Sequence, residues 1–170
     1  LDLTTSEGLD FVMDQLRDPC ARRGNILLWA SIPCTGGSSW NRMNWYKGSM
    51  ATKRKILGEW KLFRALWRVF TLVAEKVLSL GGAVCNEWPR NCNYWRETKV
   101  ESFMERNAFM TTEFDGCYYG LWSANRKNTL EPHKVDHAHG EYMLIKKPWK
   151  VMFSPNIPHI GNLLCGRCTE

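Results

Sequence analysis

The stretch ILLWASIPCTGGS at residues 26–38 decides the fold that we predict for this chain. The apolar run from Asn25 to Pro33 has the composition of a strand that is covered on both faces of a sheet. It leads directly into Cys34 and a loop of small residues, whose backbone N–H groups can act as donors beside the thiol. The stretch therefore predicts a buried strand that presents a candidate nucleophile.

The neighbouring segments predict helices and a second strand. Thr4 and Glu7 have the spacing of a capping box, and the apolar residues that follow predict a first helix to about Arg17. Apolar residues that recur every three or four positions predict a long helix at about residues 52–80. A second buried strand is predicted at residues 83–87. The order strand, helix, strand predicts an α/β fold in which ligands bind at the carboxyl ends of the strands.

Residues 35–50 are rich in Gly, Ser, Asn and aromatic side chains, and this composition predicts a functional loop. Beyond residue 90 the pattern predicts a helix through Val100 and Phe103 and then a strand from Phe109 to Phe114. All of these elements fit one domain over residues 1–170.

The composition favours a globular protein with an anionic partner. Of 170 residues, 44% are hydrophobic and 24% are charged, and the net charge is +6. Because Lys and Arg neutralise phosphates, this charge favours a nucleic acid as partner. No window approaches the roughly 20 apolar residues of a membrane span, and the first residues lack the basic cluster of a signal peptide. We therefore expect no membrane partner and an intracellular location, cytoplasmic or nuclear.

The chain has seven cysteines. This odd number, together with the positions of Cys34 and Cys85 in apolar runs, favours reduced thiols or a metal site over a disulfide framework.

A zinc site is a hypothesis for the C-terminal end, where His159, Cys165 and Cys168 form the pattern His-x5-Cys-x2-Cys. His137 or His139 could supply a fourth ligand, because a structural zinc ion needs four. Such a zinc ion would be structural and would hold a terminal loop in place. Unbound thiols are the alternative.

Pro33 and Cys34 resemble the Pro-Cys motif of the DNA cytosine-5 methyltransferases, specifically of a divergent branch found in phages or mobile elements. The resemblance implies that Cys34 attacks carbon 6 of a cytosine flipped out of the helix. It also implies that Glu87, in the sequence Asn-Glu-Trp-Pro at residues 86–89, holds the ring nitrogen and amino group of that base. The implied fold is part of a Rossmann-like methyltransferase sheet in three layers, αβα.

The resemblance extends to Asp-Gly-Cys-Tyr-Tyr-Gly at residues 115–120 and, in part, to the segment at residues 146–156. In the latter, Trp149 stands where the family has a threonine. S-adenosylmethionine is the implied methyl donor, but the glycine-rich loop that would hold it is not found in the sequence. We therefore expect the chain to be part of a longer catalytic domain or polyprotein, or to rely on another chain for its cofactor half.

The expected partner is nucleic acid, DNA in preference to RNA. Aromatic and polar side chains after the nucleophile would replace contacts that a flipped base loses, and basic side chains would bind phosphates. The residues predicted to bind nucleic acid are Trp40, Asn41, Lys53, Arg54, Lys55, Arg126, Lys127, Lys146 and Lys147.

Two alternatives from other classes stay open. One is a catalytically inactive nucleic-acid-binding or assembly module that keeps the methyltransferase-like fold and binds with a steep salt dependence. The other is a cysteine hydrolase in which Cys34 is activated by His133, His137, His139 or His159. The hydrolase leaves Glu87 without a role.

Overall fold

A computed structural model of the chain describes residues 2–18, 26–123 and 143–168. In these ranges the chain alternates between helices and strands, with two short 3-10 helices at Asn93–Arg96 and Gly116–Tyr119. In chain order the other elements are α1 (Ser6–Gln15), β1 (Leu27–Ala30), α2 (Ser39–Lys47), α3 (Met50–Ser79), β2 (Ala83–Pro89), α4 (Thr98–Arg106), β3 (Met110–Asp115), β4 (Trp122–Ser123), β5 (Met143–Leu144), β6 (Pro148–Phe153) and α5 (His159–Leu163).

The fold is α/β, as predicted, with an open mixed sheet of four strands in the order β1-β2-β6-β3. β1 and β2 are parallel, and the long helix α3 connects them. β6 lies between β2 and β3 and is antiparallel to both. The antiparallel strand β6 is therefore an interior strand of the sheet and not an edge strand. β4 and β5 form a separate pair.

The main core lies between the sheet and α3. The predicted apolar stripe of α3 is confirmed, since Phe63, Trp67 and Phe70 are buried on it. These rings pack against Trp88 of β2 and Phe103 of α4. Burying several aromatic side chains in one cluster is a large apolar contribution to folding.

A smaller core lies on the opposite face of the sheet. There Cys85, Val151 and Phe153 are buried, and the segment around α5 covers them with Ile157 and Ile160. β1 is not covered along its whole length. Leu27 is 57% and Trp29 46% exposed, so the prediction that this strand is covered on both faces is wrong. The physical reason is its position, because β1 is an edge strand that pairs only with β2.

Two local predictions differ from the structure near the N-terminal half. The first helix is capped by Thr5, whose hydroxyl accepts from the Gly8 N–H, one residue later than the predicted Thr4 cap. The predicted loop at residues 35–50 contains the helix α2. No residue of α2 is buried, so it lacks the apolar stripe from which a helix could have been predicted.

The C-terminal segment is attached to β3 by an ion pair and to the following 3-10 helix by a disulfide, and a second ion pair joins β3 to the turn after β2. Cys117 and Cys168 form a disulfide, so the prediction of reduced thiols is wrong for this pair. Asp115, which is 2% exposed, lies 2.8 Å from the Arg90 guanidinium, and Glu113 is 2.8 Å from Arg167. Disulfides are rare in cytosolic and nuclear proteins. This bond therefore gives the predicted intracellular location no support.

No helix in the described ranges is long and apolar enough to cross a membrane.

Candidate active site

The parallel pairing of β1 and β2 places Cys34 and Glu87 near each other at the carboxyl ends of these two strands. Ala30 is paired with Asn86, so Glu87 lies beside the point where the chain leaves β1 towards Cys34. The indole N–H of Trp88 donates to the Ile32 carbonyl at 2.8 Å and attaches this exit segment to β2. Strand order alone predicted this proximity, since parallel strands end at the same edge.

The turn after Cys34 is held by its own backbone and by Asn41. The N–H groups of Gly37 and Ser38 donate to the carbonyls of Cys34 and Thr35 at 3.0 and 3.2 Å. These two N–H groups are therefore engaged within the turn, contrary to the expectation that they serve as donors beside the thiol. The Asn41 amide donates to the Thr35 carbonyl at 2.6 Å. The turn is fixed before any ligand binds.

The two glycines of the turn are required by close packing. A Cβ atom at Gly36 would lie 2.4 Å from the Tyr94 hydroxyl, and one at Gly37 would lie 2.6 Å from the Cys92 sulfur. Side chains at these positions would collide with the segment that follows β2. The Asn93 N–H, which donates to the Gly37 carbonyl at 2.7 Å, closes the same contact.

The Glu87 carboxyl group has one buried oxygen and a raised pKa. Burial raises the pKa of the Glu87 carboxyl, while a hydrogen bond from Ser31 and the charge of Lys147 act in the opposite direction. Its Oε2 atom is buried and has no hydrogen-bond partner among the described residues. Burying an oxygen without a hydrogen-bond partner costs free energy, unless a ligand supplies the hydrogen bond. Glu87 is thus prepared to bind a polar group.

Cys34 is half-buried and responds to the same two charges. Burial is the largest cause that raises the pKa of its thiol; the Glu87 carboxylate raises it further, whereas its own backbone N–H and Lys147 lower it. The thiol form is therefore favoured in the free protein. A ligand that neutralises Glu87 would remove one of the causes that oppose the thiolate.

Lys147, which is predicted to contact a phosphate, is exposed, and its charge lowers the pKa of both Cys34 and Glu87. It immediately precedes β6, and its Nζ lies 4.2 Å from the centre of the Trp149 ring. Because β6 is inserted between β2 and β3, residue order did not indicate this position. Ser31 was also missed, and its only signal was its place between a strand and Pro33.

No protein-family model, no curated protein and no solved structure matches this chain. The chemistry of the site therefore depends on its own residues.

The other residues predicted to bind nucleic acid differ in their exposure. Trp40, Arg54, Lys55 and Lys146 are exposed, and Lys53 is half-exposed. Asn41 is instead engaged within the protein, since its amide also donates to Glu59 at 3.3 Å. The remaining two, Arg126 and Lys127, lie outside the described residues.

The predicted zinc ligands do not form a metal site in this structure. The Cys168 sulfur is bonded to Cys117, and the Cys165 thiol donates to the Asn162 carbonyl at 3.1 Å. In residues 2–18, 26–123 and 143–168, no group of three His, Cys, Asp or Glu side chains could hold a metal ion, and His159 is part of none. The two further candidate ligands, His137 and His139, fall outside those ranges.

Proposed function

We propose that Cys34 and Glu87 form a cytosine-binding site in which the thiolate adds to carbon 6 of the base. The observation that carries this proposal is the buried, unpartnered Glu87 Oε2 atom at the same sheet edge as the half-buried Cys34. A carboxyl group with a raised pKa can hold a proton for the ring nitrogen of cytosine. A thiol beside it is the nucleophile that this chemistry requires.

In the proposed step, Cys34 first loses its proton to solvent; the thiolate then forms a bond to carbon 6 while the Glu87 carboxyl gives its proton to ring nitrogen 3. The electron pair of the carbon 5–carbon 6 double bond forms a new carbon 4–carbon 5 double bond. The electron pair of the carbon 4–nitrogen 3 double bond moves onto nitrogen 3, where it takes the proton. Lys147 favours the thiolate that attacks, because its charge lowers the pKa of Cys34. The product is a covalent adduct with a nucleophilic carbon 5.

S-adenosylmethionine would supply a methyl group to that carbon. The turn after β1 does not fit the role of this cofactor's glycine-rich loop, because a Cβ atom at Gly36 or Gly37 would already meet the Tyr94 hydroxyl or the Cys92 sulfur. We therefore derive no methyl transfer from this chain. In the proposal, the sheet is the second part of a Rossmann-like sheet, and another segment or chain holds the cofactor beside the exposed edge of β1.

The covalent step can be tested without a cofactor by using oligonucleotides that contain 5-azacytosine, whose carbon 6 is more electrophilic than that of cytosine. Intact-protein mass spectrometry should show one adduct with the unmodified chain and none with Cys34→Ser. Cys165→Ser is the matched control, since Cys165 is an exposed free thiol far along the chain, and it should leave the adduct unchanged. An adduct that survives Cys34→Ser, or its absence from both proteins that keep Cys34, would contradict the proposal.

A nucleic-acid-binding module without catalysis is the second candidate, and the exposed helix α2 favours it. α2 has no acidic residue in its first turn, a lysine in its last turn and no buried side chain. This candidate predicts salt-dependent binding without any adduct. For the hydrolase, His159 is not among the groups that act on Cys34, and His133, His137 and His139 lie outside the described residues.

A further inference from the structure

The helix α2 exposes aromatic rings that the proposed chemistry does not use. Trp40 is 69% and Tyr46 77% exposed, although aromatic side chains normally bury most of their surface. No ring of α2 stacks on another ring within the described ranges. These side chains are therefore free to contact a partner.

A groove of about 200 Å³ runs between α2 and α3 and reaches the turn after Cys34. The residues that line it include Trp45, Tyr46, Trp60, Arg42 and Gly36. Flat rings and a guanidinium are the groups on which nucleobases stack. Since Gly36 belongs to both the groove and the turn, a base in the groove would neighbour one at Cys34.

The charge around the groove is positive and unpaired. Arg42 and Lys47 on α2 and Lys53, Arg54 and Lys55 on α3 form no ion pair in the described part of the chain. The acidic side chain of Glu59, one turn along α3 from Lys55, accepts a hydrogen bond from Asn41. Aromatic rings inside a groove with cations around it match a nucleic-acid strand, whose bases are flat and whose phosphates are anionic.

We propose that this groove stacks a base of single-stranded nucleic acid next to the cytosine held at Cys34. In a duplex each base face is covered by its neighbours, so rings that stack on bases select unpaired strands. This inference rests on the proposed function and adds to it the substrate class, an unpaired strand. Arg42 and Tyr46 would contact the flanking base, and the α3 cations its phosphates.

The test uses Cys34→Ser protein, which cannot form an adduct, and measures binding by fluorescence anisotropy. The probes are oligodeoxyuridylate, oligouridylate and a duplex of equal length, so that the two single strands differ only in the sugar. We expect the single strands to bind more tightly than the duplex at equal salt, and the difference between DNA and RNA strands identifies the sugar. Tyr46→Ala should weaken single-strand binding by roughly 5-fold to 100-fold, the effect of losing one stacked base.

Two matched variants separate stacking from general damage. Tyr46→Phe keeps the ring and should bind like the parent protein, and Phe11→Ala removes an aromatic side chain of α1 that is 53% exposed and should have no effect. Equal binding of duplex and single strands, or equal losses in Tyr46→Ala and Phe11→Ala, would overturn the inference. Failure of the proposed function has a different signature, since the adduct would then be missing while single-strand binding still depended on Tyr46.

Discussion

The neighbouring helices α2 and α3 use the same residue types in opposite ways. On α3, Trp67 is 3% exposed and its ring contacts four other aromatic rings of the core. On α2, Trp40 and Tyr46 are exposed and no residue is buried. What differs is periodicity: the aromatic residues of α3 recur at helical spacing, and those of α2 do not. Spacing therefore separates aromatic residues that stabilise the fold from those available to a partner.

The largest expected effect is on the core of α3. Trp67→Ala should lower the free energy of unfolding by about 3–5 kcal/mol, because it leaves a cavity among packed rings. Tyr46→Ala should change it by less than about 0.5 kcal/mol, as expected for an exposed side chain. Urea unfolding followed by circular dichroism measures both. Similar losses in the two variants would remove the distinction between the helices.

A pair of glycine substitutions compares the turn before α2 with the exposed face of α3. Gly37→Ala should destabilise the protein by about 1–3 kcal/mol, since the new methyl group meets the Cys92 sulfur and the Tyr94 ring. At Gly58 on α3 an added Cβ has no atom within 4 Å. Gly58→Ala should therefore stabilise by about 0.5–1 kcal/mol through helix propensity. Thermal melting of both variants checks the opposite signs.

Neutralising the cations at the start of α3 tests the part of this helix that is proposed to contact a partner. The triple substitution of Lys53, Arg54 and Lys55 by Gln should reduce the salt dependence of oligonucleotide binding by a slope of about 2 to 3 in a plot of log affinity against log salt. Stability should barely change. A slope that stays the same would mean that these side chains contact no phosphate.

The smallest expected effects concern pH at the turn that joins β1 to α2. Because burial and Glu87 raise the pKa of Cys34, its alkylation by iodoacetamide should require more alkaline solution than that of an ordinary cysteine. Glu87→Gln should move the alkylation profile of Cys34 to lower pH, and Lys147→Gln should move it to higher pH. Peptide mass spectrometry across a pH series gives both profiles. Unchanged profiles would show that neither charge acts on the thiol, and shifts of the reverse sign would contradict the assigned directions.

Local patterns predicted the elements that depend on local order. The stripe of α3 and the strand–helix–strand order were sufficient to place Cys34 and Glu87 at one sheet edge. The exposure of Trp29 was not predictable, because an apolar strand does not show whether another element covers it. The position of Lys147 depends on the insertion of β6 between β2 and β3, which is a property of topology. Long-range pairing of this kind leaves no periodic signal in the sequence.

The bond between Cys117 and Cys168 spans a sequence separation of 51 residues. A protease that cuts the chain once anywhere between these two cysteines would therefore release no fragment. The two products would migrate as one species on a nonreducing gel and would separate only after reduction. Because β6 lies in this interval and pairs with both β2 and β3, such a nicked protein would also keep its central strand in place.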